Sequence, residues 1–121
     1  MTIPELYAKL NASYEDAKIR LMNDAIIERF VLKFASDYSL DKLDALVEKK
    51  NYPEVFAFAH NLKGVVGNLS FSELFNKASA LTEVVRHKNV GDDVTLEKEV
   101  AELKTEFDKT IALINAYKAE K

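Results

Sequence analysis

Apolar residues recur along this chain at three- and four-residue steps, the spacing of one helical face, and no stretch alternates as a half-buried strand does. Leu6 and Leu10 follow Pro4, which suits a first helical turn, and predict a short helix over about residues 4–11. Asn11-Ala12-Ser13 is a break; Ser13 with Asp16 three later reads as a capping-box variant opening a second short helix to about Leu21. Asn23-Asp24 offers the next N-cap, followed by the stripe Ile27, Phe30, Val31 and Phe34. Ser36-Asp37-Tyr38-Ser39 breaks that helix. Ser39 is placed to cap the next one, with the stripe Leu40, Leu43, Leu46 and Val47 and with Lys49 and Lys50 in its last turn. After the turn Asn51-Tyr52-Pro53, one helix runs from Pro53 to about Leu69, broken or bent at Ser70 or a neighbour. Phe71, Leu74, Ala78, Leu81 and Val85 carry another to about His87. Asn89-Val90-Gly91-Asp92-Asp93 is the clearest loop, and Asp92 or Asp93 caps a last helix of about 24 residues with Val100, Leu103, Phe107, Ile111 and Ile114. Short connections imply antiparallel neighbours. The expected fold is all-α: an up-down-up-down four-helix bundle with a short N-terminal helical cap, one domain over residues 1–121.

Composition narrows the function. The 17 Lys and Arg against 20 Asp and Glu give a net charge of −3, without the basic footprint of a nucleic-acid binder. There is no cysteine, which removes thiolate metal sites, and the two histidines, His60 and His87, are too few for a multi-histidine centre. Three Gly and two Pro leave no Gly-rich phosphate loop. The longest apolar run, Val55 to Ala59, is far short of the roughly 20 residues that span a bilayer, and the N-terminus lacks a signal-peptide core. A cytoplasmic protein is expected. His87, in Arg86-His87-Lys88 at a helix end, reads as dipole-compensating; Glu97, Glu99, Glu102 and Glu106 with Lys98 and Lys104 read as a solvated face. Phe71, Phe75 and Phe107 read as core, and Tyr38 and Tyr52 near turns are open.

The Pro53–Leu69 helix departs from this pattern. At 100° per residue, Val55, Phe58, Leu62, Val65, Val66 and Leu69 gather opposite His60, so His60 faces solvent at mid-helix. Lys63 and Gly64 lie one turn on, Gly67 two turns on, and Phe56 and Ala57 one turn back. Mid-helix glycine costs about 1 kcal/mol relative to alanine, so two on one exposed face call for a reason. Room for a large group beside His60 is one. An exposed histidine alone carries no function. Grouped with a cation, an apolar wall and clearance it forms a groove in which a neutral imidazole nitrogen attacks a phosphoryl group and Lys63 screens the charge.

His60-Asn61-Leu62-Lys63-Gly64-Val65-Val66-Gly67-Asn68-Leu69 resembles the His-x-Leu-Lys-Gly segment of histidine-containing phosphotransfer (HPt) domains. The likeness extends through Phe71, Leu74, Ala78 and Leu81, more weakly back to Asn23, and covers about residues 14–115. Two departures stand out: Ser70 where many members have Gly, and Asn61 where Thr is frequent. The resemblance implies a phosphorelay intermediate rather than an autonomous catalyst, with His60 as phosphohistidine, Lys63 stabilising phosphoryl charge and Gly64 giving clearance. Phe56, Ala57, Asn61, Gly67 and Asn68 would line the docking surface for receiver domains of response regulators or hybrid kinases. No cofactor or metal is expected on this chain, since Mg²⁺ belongs to the receiver, and a monomer suffices. Met1 and the compact length suggest a stand-alone protein; a domain of a larger hybrid or chemotaxis-type kinase remains an alternative, as does a receiver-binding adaptor without chemistry. An enzyme, such as a metal-dependent hydrolase or a kinase, lacks the residues it would need.

Overall fold

The computed structural model describes residues 1–86 and 93–121. Among the described residues lie seven α-helices and no strand: α1 (Ile3–Lys9), α2 (Tyr14–Leu21), α3 (Asp24–Asp37), α4 (Asp41–Glu48), α5 (Tyr52–Asn68), α6 (Ser72–Arg86) and α7 (Asp93–Ala119). The all-helical expectation holds. His87 and the loop residues Asn89 to Asp92 lie outside the described residues; Asp93, expected as loop or cap, already opens α7. That helix has 27 residues, about 40 Å at 1.5 Å per residue.

Side-chain caps start most of these helices. Asn23 Oδ1 accepts from the Ile26 N–H at 3.0 Å and Asn51 Oδ1 from that of Glu54 at 3.4 Å. The reciprocal capping box is at α1, where Thr2 and Glu5 exchange backbone-to-side-chain bonds. At α2 only half of the expected box exists. Ser13 Oγ accepts from the Asp16 N–H, but the Asp16 carboxylate turns to Ser70 and Arg20 instead. Ser39 Oγ accepts from the Asp41 N–H at 3.1 Å, yet the N-cap of α4 is Leu40, whose side chain has no acceptor to offer. Lys49 and Lys50 fall just past α4 rather than in its last turn.

Helix ends solve a different problem, because only three glycines are available. Asn11, Lys50 and Ser70 take left-handed φ of 54°, 55° and 58° just after α1, α4 and α5. At Ser70 its own N–H bonds the Gly67 carbonyl and the Phe71 N–H bonds that of Val66, both at 3.1 Å. Asn11 with Ala12, and Lys50 with Asn51, repeat the pattern. These are Schellman closures made without glycine.

Packing fixes α5. It lies along α6, α6 lies along α7, α4 rests on α5 and α3 on α7. Phe34 of α3 sits at the centre, its ring 5.9 Å from both Phe71 and Phe107. The end of α5 is held from the N-terminal helices: the buried Tyr7 hydroxyl donates to the Leu69 carbonyl at 2.7 Å, the Ser13 N–H to that of Ser70 at 3.2 Å, and Ser70 Oγ to Asp16 at 2.6 Å. No described helix is long and apolar enough to cross a membrane.

Candidate functional site

Val55, Ala59, Leu62 and Val66 form the fully buried stripe of α5. Ala59 belongs to it, whereas Phe58 and Val65, expected in it, are only half-buried at its edge. The core face is therefore rotated from the point diametrically opposite His60, and the outer face is wider on one side. His60 remains exposed. An imidazole two turns inside a packed helix is held in position by the backbone on both sides.

The two flanks of His60 differ. On the α6 side the groups are packed. Phe56, expected to be exposed, is half-buried: its ring stacks on the His60 imidazole, centroids 5.8 Å apart and planes 7° from parallel. The Arg86 guanidinium of α6 lies 5.0 Å from the centroid of the same Phe56 ring. Lys63 Nζ rests 5.6 Å from the Phe75 ring centroid, a cation–π contact that draws the ammonium toward α6. Gly67 faces the same ring: a Cβ there would stand 3.4 Å from Phe75, in ordinary contact.

The other flank is open. A Cβ at Gly64 would meet nothing within 4 Å, so the space beside His60 is free. Ala57, Asn61 and Asn68 are exposed along it. The Tyr38 hydroxyl, at the end of α3, donates to Asn61 Oδ1 at 2.7 Å. Burial holds the Tyr38 phenol above its ordinary pKa, so it is a neutral donor. Two surface grooves meet at Tyr38. One runs past Lys42, Leu46, Glu54, Ala57 and Phe58 to Asn61, the other past Leu21, Phe30, Val65 and Leu69 to Asn68.

All eight residues expected at the site thus lie on α5, seven of them around the exposed imidazole or on its open flank, with Gly67 turned to Phe75. Tyr38, Phe75 and Arg86 join them from other helices, and nothing local in the sequence marks them. Tyr38 is 23 positions from Asn61, and the contact exists only once the folded chain brings the end of α3 to α5. Phe71 and Phe107 are buried as expected, whereas Phe75, expected in the core, is half-buried at its edge with Lys63 over its ring. The acidic run on α7 is only partly solvated: Glu99, Glu102 and Glu106 are half-buried, and Lys104 pairs with Asp44 of α4 at 2.5 Å.

A family model described as Hpt domain covers residues 31–113, from mid-α3 to late α7, with the whole of α5 inside it. Neither curated proteins nor solved structures gave a significant match.

Proposed function

Because the chain belongs to the Hpt domain family, a family of phosphotransfer carriers in phosphorelay signalling, we propose that it carries a phosphoryl group on His60 between the aspartates of receiver domains. The observation that carries this reading is the exposed imidazole of His60 beside the empty space at Gly64, inside the matched segment. The antiparallel bundle of α3, α5, α6 and α7, capped by α1 and α2, is the frame that presents it.

In the forward step a neutral His60 nitrogen attacks the phosphorus of an aspartyl phosphate. An N–P bond forms and the acyl O–P bond breaks. The receiver aspartate leaves as carboxylate, and the imidazolium proton passes from the other ring nitrogen to solvent. Little covalent work falls to the protein, so positioning and charge neutralisation decide the rate. The Phe56 ring covers one face of the imidazole. Lys63 swings from Phe75 to the phosphoryl oxygens. Gly64 leaves room for the receiver's backbone, and Ala57, Asn61 and Asn68 with the edge of Phe56 form the docking surface. Mg²⁺ comes with the receiver. A monomer in the cytoplasm suffices for this role.

The test is phosphotransfer from receiver domains of the same genome, charged with acetyl phosphate and Mg²⁺. Acid-labile, base-stable label on the wild type and none on His60→Gln is expected. Binding without label would leave the adaptor reading in its place.

A further inference from the structure

Asn61 stands next to His60 in sequence and is exposed, yet its carboxamide already has a partner. The Tyr38 hydroxyl donates to its Oδ1 at 2.7 Å. Tyr38 is itself held: its ring lies 5.4 Å from that of Phe34 and 6.2 Å from that of Phe58. Phe34 is core, so the hydroxyl is anchored to the packed interior through one rigid side chain.

A primary amide has one acceptor end and one donor end. With Oδ1 engaged by Tyr38, the Nδ2 group is left as the outward end, and among the described residues no side chain or carbonyl bonds it. The open flank beside His60 therefore presents a fixed N–H donor. A solvent-exposed asparagine without Tyr38 would offer either end and lose side-chain entropy on committing to one.

We propose that Tyr38 is a positioning residue for partner recognition. It orients Asn61 so that Nδ2 donates to an acceptor on the docked receiver, a backbone carbonyl or carboxylate at the rim of its phosphorylation site. This rests on the phosphotransfer reading above. It adds a specificity rule: the receiver must place an acceptor opposite Asn61, and one that places a donor there is disfavoured because two donors then face each other in a desolvated contact.

The experiment measures transfer from acetyl-phosphate-charged receiver domains to wild type, Tyr38→Phe, Asn61→Ala and the double variant, with His60→Gln as control and thermal melts alongside. Tyr38→Phe is expected to raise KM for the receiver about three- to tenfold with kcat within about twofold, the size of one well-placed hydrogen bond. Asn61→Ala is expected to do the same, and the double variant to be no worse than either. Tyr38→Phe with unchanged KM, or an equal further loss on the Asn61→Ala background, overturns the inference while leaving His60-dependent transfer standing. Label on His60→Gln, or none on the wild type, overturns the phosphotransfer reading and this inference with it.

Discussion

Lys63 shows how small energies select a role for a residue. Its ammonium rests over Phe75, a contact worth about 0.5–1 kcal/mol at an exposed position. A charge-assisted hydrogen bond to a phosphoryl oxygen is worth about 1.5–3 kcal/mol. In the proposed transfer the phosphoryl wins, so the ammonium would wait on α6 and move once His60 is charged. Lys63→Gln is expected to slow transfer about tenfold while leaving the fold intact, read by initial rates of labelling beside a thermal melt. Ser70 poses the opposite problem. It pays for a left-handed φ of 58° but donates to Asp16, which lowers the Asp16 carboxyl below its ordinary value ahead of the contribution from Arg20. Ser70→Ala keeps the unfavourable φ and loses the bond, so it is expected to lower the melting temperature more than Ser70→Gly does.

At the scale of the element, α5 contains two glycines with different reasons. Gly64 has open space where a Cβ would go. Gly64→Ala is therefore expected to stabilise the protein by about 1 kcal/mol through helix propensity and to reduce phosphotransfer at the same time, a trade visible in paired melts and transfer rates. Gly67→Ala places its Cβ in contact with Phe75 at 3.4 Å and is expected to affect transfer less. The sequence made the helices and the outer face of α5 legible because both follow from periodicity. It took Phe56 as exposed where it is half-buried, since periodicity finds an angle but not the neighbouring helix, and here α6 brings Arg86 onto its ring. It also misplaced Asp16, whose partner Ser70 lies 54 residues away. Glycine scarcity hid three tight helix endings, which Asn11, Lys50 and Ser70 make with side chains present.

Across the whole molecule, segments outside the family match hold the site helix. Tyr7 of α1 donates to the Leu69 carbonyl at the end of α5. Tyr7→Phe leaves that buried carbonyl without its donor and is expected to cost about 1–2 kcal/mol in denaturant unfolding. Burial pushes the Tyr7 phenol well above 10, and burial, then the hydrogen bond to Glu28, pushes Tyr117 up to about 12. Their unfolded-state phenols ionise near 10, so the folded state holds more protons above that pH. The stability they add is full below about pH 10 and is lost as pH rises toward the folded values. Tyr7→Phe and Tyr117→Phe should each flatten the alkaline limb of a stability profile. Asp16 and Glu28 act at the other end. Ser70 lowers the first and Lys121 the second, so their contribution is present above the ordinary carboxylate range and fades as pH falls through their lowered values.

The central claim is that His60 both takes and gives a phosphoryl group. A pulse-chase tests it most directly: the chain is labelled from one charged receiver, separated from it, and mixed with a second, unlabelled receiver and Mg²⁺. The label is expected to leave His60 and appear on the second receiver's aspartate, with none passing when His60→Gln replaces the wild type. Label that stays on the chain, or that reaches the second receiver equally well through His60→Gln, would contradict the account.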